Sequence, residues 1–247
     1  MRATVIFVHG AFITDATWWW HLVAEQLEKK GIASIAVDLP STSQTSPLGD
    51  LPAEEATLHR DADAVRDAIA AAESPVILFG HSYGGGVITE AGMNEPKVAH
   101  LVYMSACVLD GTSVLESNFT NPDHNATFGY HEDGTVDEGE GKTKSGVLGD
   151  LPDQELAAEA IKRLTSQSAF PFLQVPNGDA WRHVPSTYFL CTKDEDVAVD
   201  AQRAHAERTG GIVEIPTNHF AHLERPDLVC DALVSVVNGF GIDAAAA

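Results

Sequence analysis

Cysteine, basic residues and long apolar runs are all scarce in this chain, and each scarcity excludes something. Cys107, Cys191 and Cys230 are the three cysteines of 247 residues. Odd in number and widely spaced, they offer neither a disulfide framework nor a zinc-binding spacing, so a reducing cytoplasm is the expected compartment. Cys107 and Cys191 stand in apolar, strand-like surroundings and read as core thiols. Lysine and arginine number 15 against 36 aspartates and glutamates, a formal charge of −21. A surface that acidic repels nucleic-acid phosphates and anionic lipid, so neither partner is expected. No run of eighteen apolar residues is present to span a membrane, and the apolar stretch at 1–8 is too short for a signal peptide.

What is there is ordinary globular material, 44% hydrophobic and 21% charged, long enough for one large α/β domain with a sizeable core. Residues 3–9, 32–38, 75–80, 98–105, 186–191 and 211–215 read as strands. Helical patterns fall between or after them, near 17–30, 54–72, after Ser82, 198–209 and 226–238. Strands alternating with helices predict a mainly parallel sheet covered on both faces. The alternation breaks over 110–182, where Gly, Asp, Asn and Pro mix with isolated aromatics. That stretch contains an Asp133-Gly134 turn able to close a hairpin and one helical piece at 152–165. An insertion of this length is expected to form a lid over the strands' C-terminal ends.

The most informative segment is Gly80-His81-Ser82-Tyr83-Gly84. The apolar run Val76-Ile77-Leu78-Phe79 precedes it, and Gly85-Gly86-Val87-Ile88 follows. The five-residue pattern alone should arise by chance in roughly one chain of this length in ten. A strand before and a helix after raise it to a nucleophile turn, with Ser82 in strained backbone and small neighbours giving the chain room to pass.

A serine needs a base, and His219 is the best placed of the eleven histidines. It follows the last strand in Asn218-His219-Phe220, at the sheet edge where open α/β folds bind ligands. His222 is its rival and reads as packed beneath the final helix. The two together lack further ligands for a metal. His9 and His81 flank backbone turns and are expected to make structural hydrogen bonds.

An acid is expected on the loop Cys191-Thr192-Lys193-Asp194-Glu195-Asp196, where Asp194 and Asp196 are the competing choices. Oxyanion donors are expected from the N–H of Tyr83 and from the loop after the first strand, with Ala11 first and Phe12 second. Of Trp18, Trp19 and Trp20, one or two read as core and another as a possible pocket border. Phe12, Trp181 and Phe220 are the side chains expected against substrate. Glu54, Glu55, Asp61, Asp63 and Asp67 read as the solvated face of a helix.

Taken in order, His9-Gly10-Ala11, Asp38-Leu39-Pro40, the Ser82 segment, Cys191-Thr192-Lys193-Asp194 and Asn218-His219 resemble the α/β-hydrolase superfamily, near the small esterases related to plant methylesterases and hydroxynitrile lyases. The resemblance covers nearly the whole chain and is weakest across 110–180. It implies the α/β-hydrolase fold, with a core of 1–109 and 183–247 and a lid at 110–182. It further implies Ser82 as nucleophile, Asp194 as acid, His219 as base, and the Ala11 and Tyr83 N–H groups as oxyanion hole. Asp194 is favoured because the acid of these relatives lies three residues past its strand, shortly before a proline; Ala198 or Val199 stands at that proline here.

The lyases of the group resemble a pattern with threonine after the first-strand histidine and lysine after the catalytic one, where this chain has Gly10 and Phe220. The expectation is therefore a serine hydrolase of small hydrophobic carboxylic esters, working through an acyl-enzyme without cofactor or metal. A small-molecule ester would be its partner, and the chain a monomer or homodimer. A cofactor-free lyase or oxygenase on the same scaffold, or a small-molecule receptor, is the alternative.

Overall fold

The computed structural model describes residues 3–42, 52–117, 128–138 and 144–239. The chain opens with β1 (Thr4–Val8), α1 (Ala16–Lys29), β2 (Ala33–Val37), α2 (Leu58–Ala71), β3 (Val76–His81), α3 (Gly84–Ala91) and β4 (Val98–Met104). The inserted stretch contributes β5 (Gly129–Tyr130), β6 (Thr135–Asp137), α4 (Lys144–Gly149), α5 (Gln154–Ile161), β7 (Gln167–Ser168) and α6 (Phe170–Leu173). Alternation resumes with β8 (Ser186–Cys191), α7 (Val199–Ala206), β9 (Ile212–Ile215), α8 (Ala221–Glu224) and α9 (Pro226–Gly239).

Six strands form one sheet in the order β2-β1-β3-β4-β8-β9. Every pairing in it is parallel, with Val8 beside Val37 and Gly80, and Met104 beside His81 and Phe189. Side-chain alternation divides each central strand between two cores. Val5 and Phe7 of β1 enter a cluster with Trp19, Trp20 and Val23 of α1 and Val229 and Leu233 of α9. Ile6 and Val8 enter the opposite cluster, with Leu58, Ala62 and Val65 of α2 and Val87 and Ile88 of α3. This is the α/β-hydrolase fold, with strand faces covered on both sides as the near-continuous apolar strands require.

Capping sets where several helices start. Asp15 accepts from the Trp18 N–H at α1 and Thr57 from the Arg60 N–H at α2, each satisfying a donor that has no helical partner. Asp38 of the Asp-Leu-Pro motif adds a bond at 2.7 Å from the Ala16 N–H. It thereby ties the end of β2 to the start of α1.

The insertion is more structured than its composition suggests. Asp133-Gly134 does close a hairpin, with Gly134 at φ 83° between β5 and β6, but β7 joins as a third strand. The helical piece at 152–165 is shorter, spanning α5, and begins at an Asp153 cap. The insertion docks on the loops after β1 and β2, where Ile13 bridges Leu164 and Thr42 bridges Gln167. No helix among the described residues is long and apolar enough to cross a membrane.

Candidate active site

Ser82 stands between β3 and α3 with φ 55°, in the left-handed region that costs a non-glycine residue roughly 1 kcal/mol or more. Its surroundings leave the backbone no alternative. A Cβ on Gly80 would lie 2.7 Å from the Gly84 carbonyl oxygen, and one on Gly84 would lie 2.5 Å from that of Val8. The glycines therefore let the turn fold back against β1, and the Ser82 carbonyl is held by the N–H groups of Gly85 (3.1 Å) and Cys107 (3.2 Å). Burial pushes the neighbouring Cys107 thiol up to about 12, so it stays protonated and is no rival nucleophile.

The loop after β1 abuts this turn. A Cβ on Gly10 would come within 2.9 Å of Ser82 Cβ and 3.4 Å of its Oγ. His9 shapes the loop: its Nδ1 donates to the Gly10 carbonyl at 2.8 Å while Nε2 accepts from the Leu39 N–H at 3.2 Å. Burial lowers the His9 pKa, which keeps that neutral tautomer. The Ala11 and Tyr83 N–H groups have no acceptor among the described residues. Phe12, the second choice for a donor, is otherwise engaged, because its N–H donates to Gln167 Oε1 at 3.0 Å.

His219 follows β9 and is wholly buried. Its Nδ1 lies 2.9 Å from Asp194 Oδ2, and its carbonyl accepts from His81 Nε2 at 2.9 Å. The His81 and His219 rings pack with centroids 4.6 Å apart, which fixes His219 beside the residue preceding Ser82.

The two candidate acids approach opposite sides of the imidazole. Asp194 Oδ1 accepts from the N–H groups of Asp196 and Val197, both at 2.8 Å, while its Oδ2 faces Nδ1. Asp196 Oδ2 lies 3.3 Å from Nε2 and is partly exposed.

Sequence reasoning missed two partners of this pair. Ser105, at the end of β4 with φ 40°, donates to Asp194 Oδ2 at 2.5 Å and lies 3.2 Å from His219 Nδ1. Gln202 of α7 reaches the same carboxylate oxygen at 3.3 Å. A serine beyond a strand end was the available signal, too common to single out.

Several expectations need correction. Asp61 is not solvated: it is fully buried, bonded to Ser41 and Tyr83, and burial lifts its carboxyl to about 7. Phe220 is core, not pocket wall, wholly buried among Trp19, His81, His219 and His222. Trp181 donates from Nε1 to the Leu109 carbonyl at 3.0 Å and stacks under Arg182, which accounts for its position without a substrate. Trp19 and Trp20 are buried, whereas Trp18 is half-buried beneath the Arg163 guanidinium. His222 is buried, with its ring stacked on Trp20 at 4.4 Å. Among the described residues no group of three or more His, Cys, Asp or Glu is placed to hold a metal.

Phe12 is buried in an apolar ring cluster. Its ring packs against Phe128 (5.6 Å) and Phe172 (6.0 Å), and Phe172 also meets Tyr83 at 5.4 Å. Phe128 and Phe172, with Leu115, Tyr130, Val136 and Leu173, line a small apolar recess.

Comparison with known proteins agrees with this fold. The model of the alpha/beta hydrolase family matches residues 5–232. The chain is similar to an alpha/beta hydrolase of Aspergillus novofumigatus, 27% identical over 93% of this chain and 94% of the other. It is equally similar, at 27% identity over 93% and 85%, to a pyrethroid hydrolase of Sphingobium wenxiniae. In fold it is similar to a methylesterase from Arabidopsis, with TM-score 0.74 and 21% identity over 96% of this chain and 99% of that one.

Proposed function

Because the chain belongs to the alpha/beta hydrolase family, we propose that it is a serine hydrolase of small, mainly hydrophobic carboxylic esters. Ser82 Oγ attacks the ester carbonyl while Nε2 of His219 takes its proton. The tetrahedral oxyanion receives hydrogen bonds from the Ala11 and Tyr83 N–H groups. His219 returns the proton to the departing alcohol, and water repeats the sequence on the acyl-enzyme.

Asp194, rather than Asp196, is the orienting acid. A carboxylate on Nδ1 holds the tautomer whose Nε2 is open to the serine, whereas one on Nε2 competes with the serine for that nitrogen. The observation that carries the reading is the buried Asp194–His219 contact at 2.9 Å, anchored through His81 to the strained Ser82 turn. The apolar cluster of Phe12, Phe128 and Phe172 beside Tyr83 favours a hydrophobic acyl or alcohol group. A pyrethroid hydrolase and a methylesterase stand among its sequence relatives, and ester hydrolysis is carried over to the chain as part of the proposal. The inserted stretch, docked on the loops after β1 and β2, serves as the lid.

A panel of activated esters, aromatic methyl esters and lactones tests the substrate class. Turnover that rises with the apolar size of the acyl or alcohol group is expected. A preference for charged esters would contradict it.

A further inference from the structure

Both loops that carry the proposed oxyanion donors end on one buried polar chain, and that chain starts in the insertion. Gln167 Oε1 accepts the Phe12 N–H at 3.0 Å, and Gln167 Nε2 donates to Ser41 Oγ at 2.8 Å. Ser41 Oγ donates onward to Asp61 Oδ2 at 2.6 Å, and the Ser41 N–H to Oδ1 at 2.9 Å. From the other side the Tyr83 hydroxyl donates to the same Oδ2 at 2.6 Å. The chain from Phe12 through Gln167 and Ser41 and the Tyr83 hydroxyl thus meet at the one Asp61 carboxyl group. Gln167, Ser41, Asp61, Tyr83 and Phe12 are each at most 2% exposed.

Phe12 makes the dependence specific. It holds φ 64°, a conformation that persists in a phenylalanine only when its surroundings impose it. Its N–H is held by Gln167, and its carbonyl accepts from the Thr165 N–H at 2.9 Å, so the insertion grips this peptide from both ends. The Ala11 N–H shares its peptide plane with the Gly10 carbonyl held by His9, and the grip on Phe12 fixes the other end of Ala11. The Tyr83 hydroxyl similarly fixes the residue whose backbone N–H is the second donor.

We infer that Gln167 and Asp61 are positioning residues for the oxyanion hole: through Phe12 and Tyr83 they hold the Ala11 and Tyr83 N–H groups convergent beside Ser82. The inference rests on the acyl-transfer reading above. It assigns the insertion a part in transition-state binding in addition to covering the pocket.

The test compares wild type with Gln167→Met, which keeps side-chain size and removes both bonds, Tyr83→Phe, which removes only the hydroxyl, and the double variant. The readouts are kcat and KM for p-nitrophenyl acetate and the affinity for phenylboronic acid, whose tetrahedral serine adduct places an oxygen in the hole. Each single variant is expected to lose about tenfold or more in kcat with KM within about twofold. Boronate affinity should fall by the same factor as kcat/KM, and the double variant should lose less than the product of the two singles.

Variants that melt earlier yet keep wild-type kcat and boronate affinity would overturn the inference while leaving acyl transfer intact. Wild-type protein that neither hydrolyses the ester nor binds the boronate would overturn the acyl-transfer reading and this inference with it. Should Gln167→Met not fold, Tyr83→Phe carries the same comparison.

Discussion

Oδ2 of Asp194 lies 2.9 Å from Nδ1 of His219, with both side chains fully buried. Asp196 reaches the opposite nitrogen at 3.3 Å from a partly exposed position. The two carboxylates therefore play different parts although they stand two residues apart. Asp194→Asn should lower kcat by about three to four orders of magnitude, because an amide donor facing Nδ1 stabilises the wrong tautomer. Asp196→Asn should stay within about tenfold of wild type, since the serine-facing nitrogen loses only a competitor. Parallel kcat measurements on the two variants check this, and equal losses would contradict it.

Ser105 donates to the same Asp194 oxygen that faces the histidine. Removing the hydroxyl leaves the carboxylate one charge-assisted bond short and freer to rotate away from Nδ1. Ser105→Ala should reduce kcat about tenfold with little change in KM. A change in KM alone would mean that Ser105 touches substrate and does not act through Asp194.

Asp61 gives the fold a pH signature of definite sign. Its carboxyl is lifted to about 7 in the folded chain, chiefly by burial, whereas the unfolded chain ionises it near the ordinary carboxylate value. A raised folded pKa contributes stability in full below about pH 4 and loses it as pH rises to about 7, up to roughly 4 kcal/mol. Urea midpoints of wild type and Asp61→Asn at pH 4.5 and pH 8 measure this. The gap should move in favour of the variant at pH 8; an identical gap at both pH values would refute the assignment.

Much of this site was legible because the backbone dictates its residues. Gly80 and Gly84 can be nothing larger where a Cβ would meet carbonyl oxygens at 2.7 and 2.5 Å, and such constraints leave a local pattern. The alternating strands likewise put Ser82 and His219 after strand ends, while the acid stayed open between Asp194 and Asp196 until the resemblance favoured Asp194. Phe220 was misread because an aromatic beside a base looks like a pocket wall, yet its ring turns into the α1 core.

Asp61 was misread from the acidity around it. It shares the helical stripe of Leu58, Ala62, Val65 and Ile69, a position that marks an inward-facing carboxylate. Ser105 left only a serine past a strand end, and Gln167 no local trace. Their partners lie 89 residues away at Asp194 and 155 away at Phe12, and only the folded sheet brings them together.

The central claim is a covalent intermediate on Ser82. Intact-mass analysis and peptide mapping after treatment with a fluorophosphonate probe test it most directly. The account predicts one adduct per chain, on Ser82, with ester hydrolysis lost in step with labelling and neither labelling nor hydrolysis in folded Ser82→Ala. Ester hydrolysis that persists in Ser82→Ala, or a probe adduct on another residue, would contradict it.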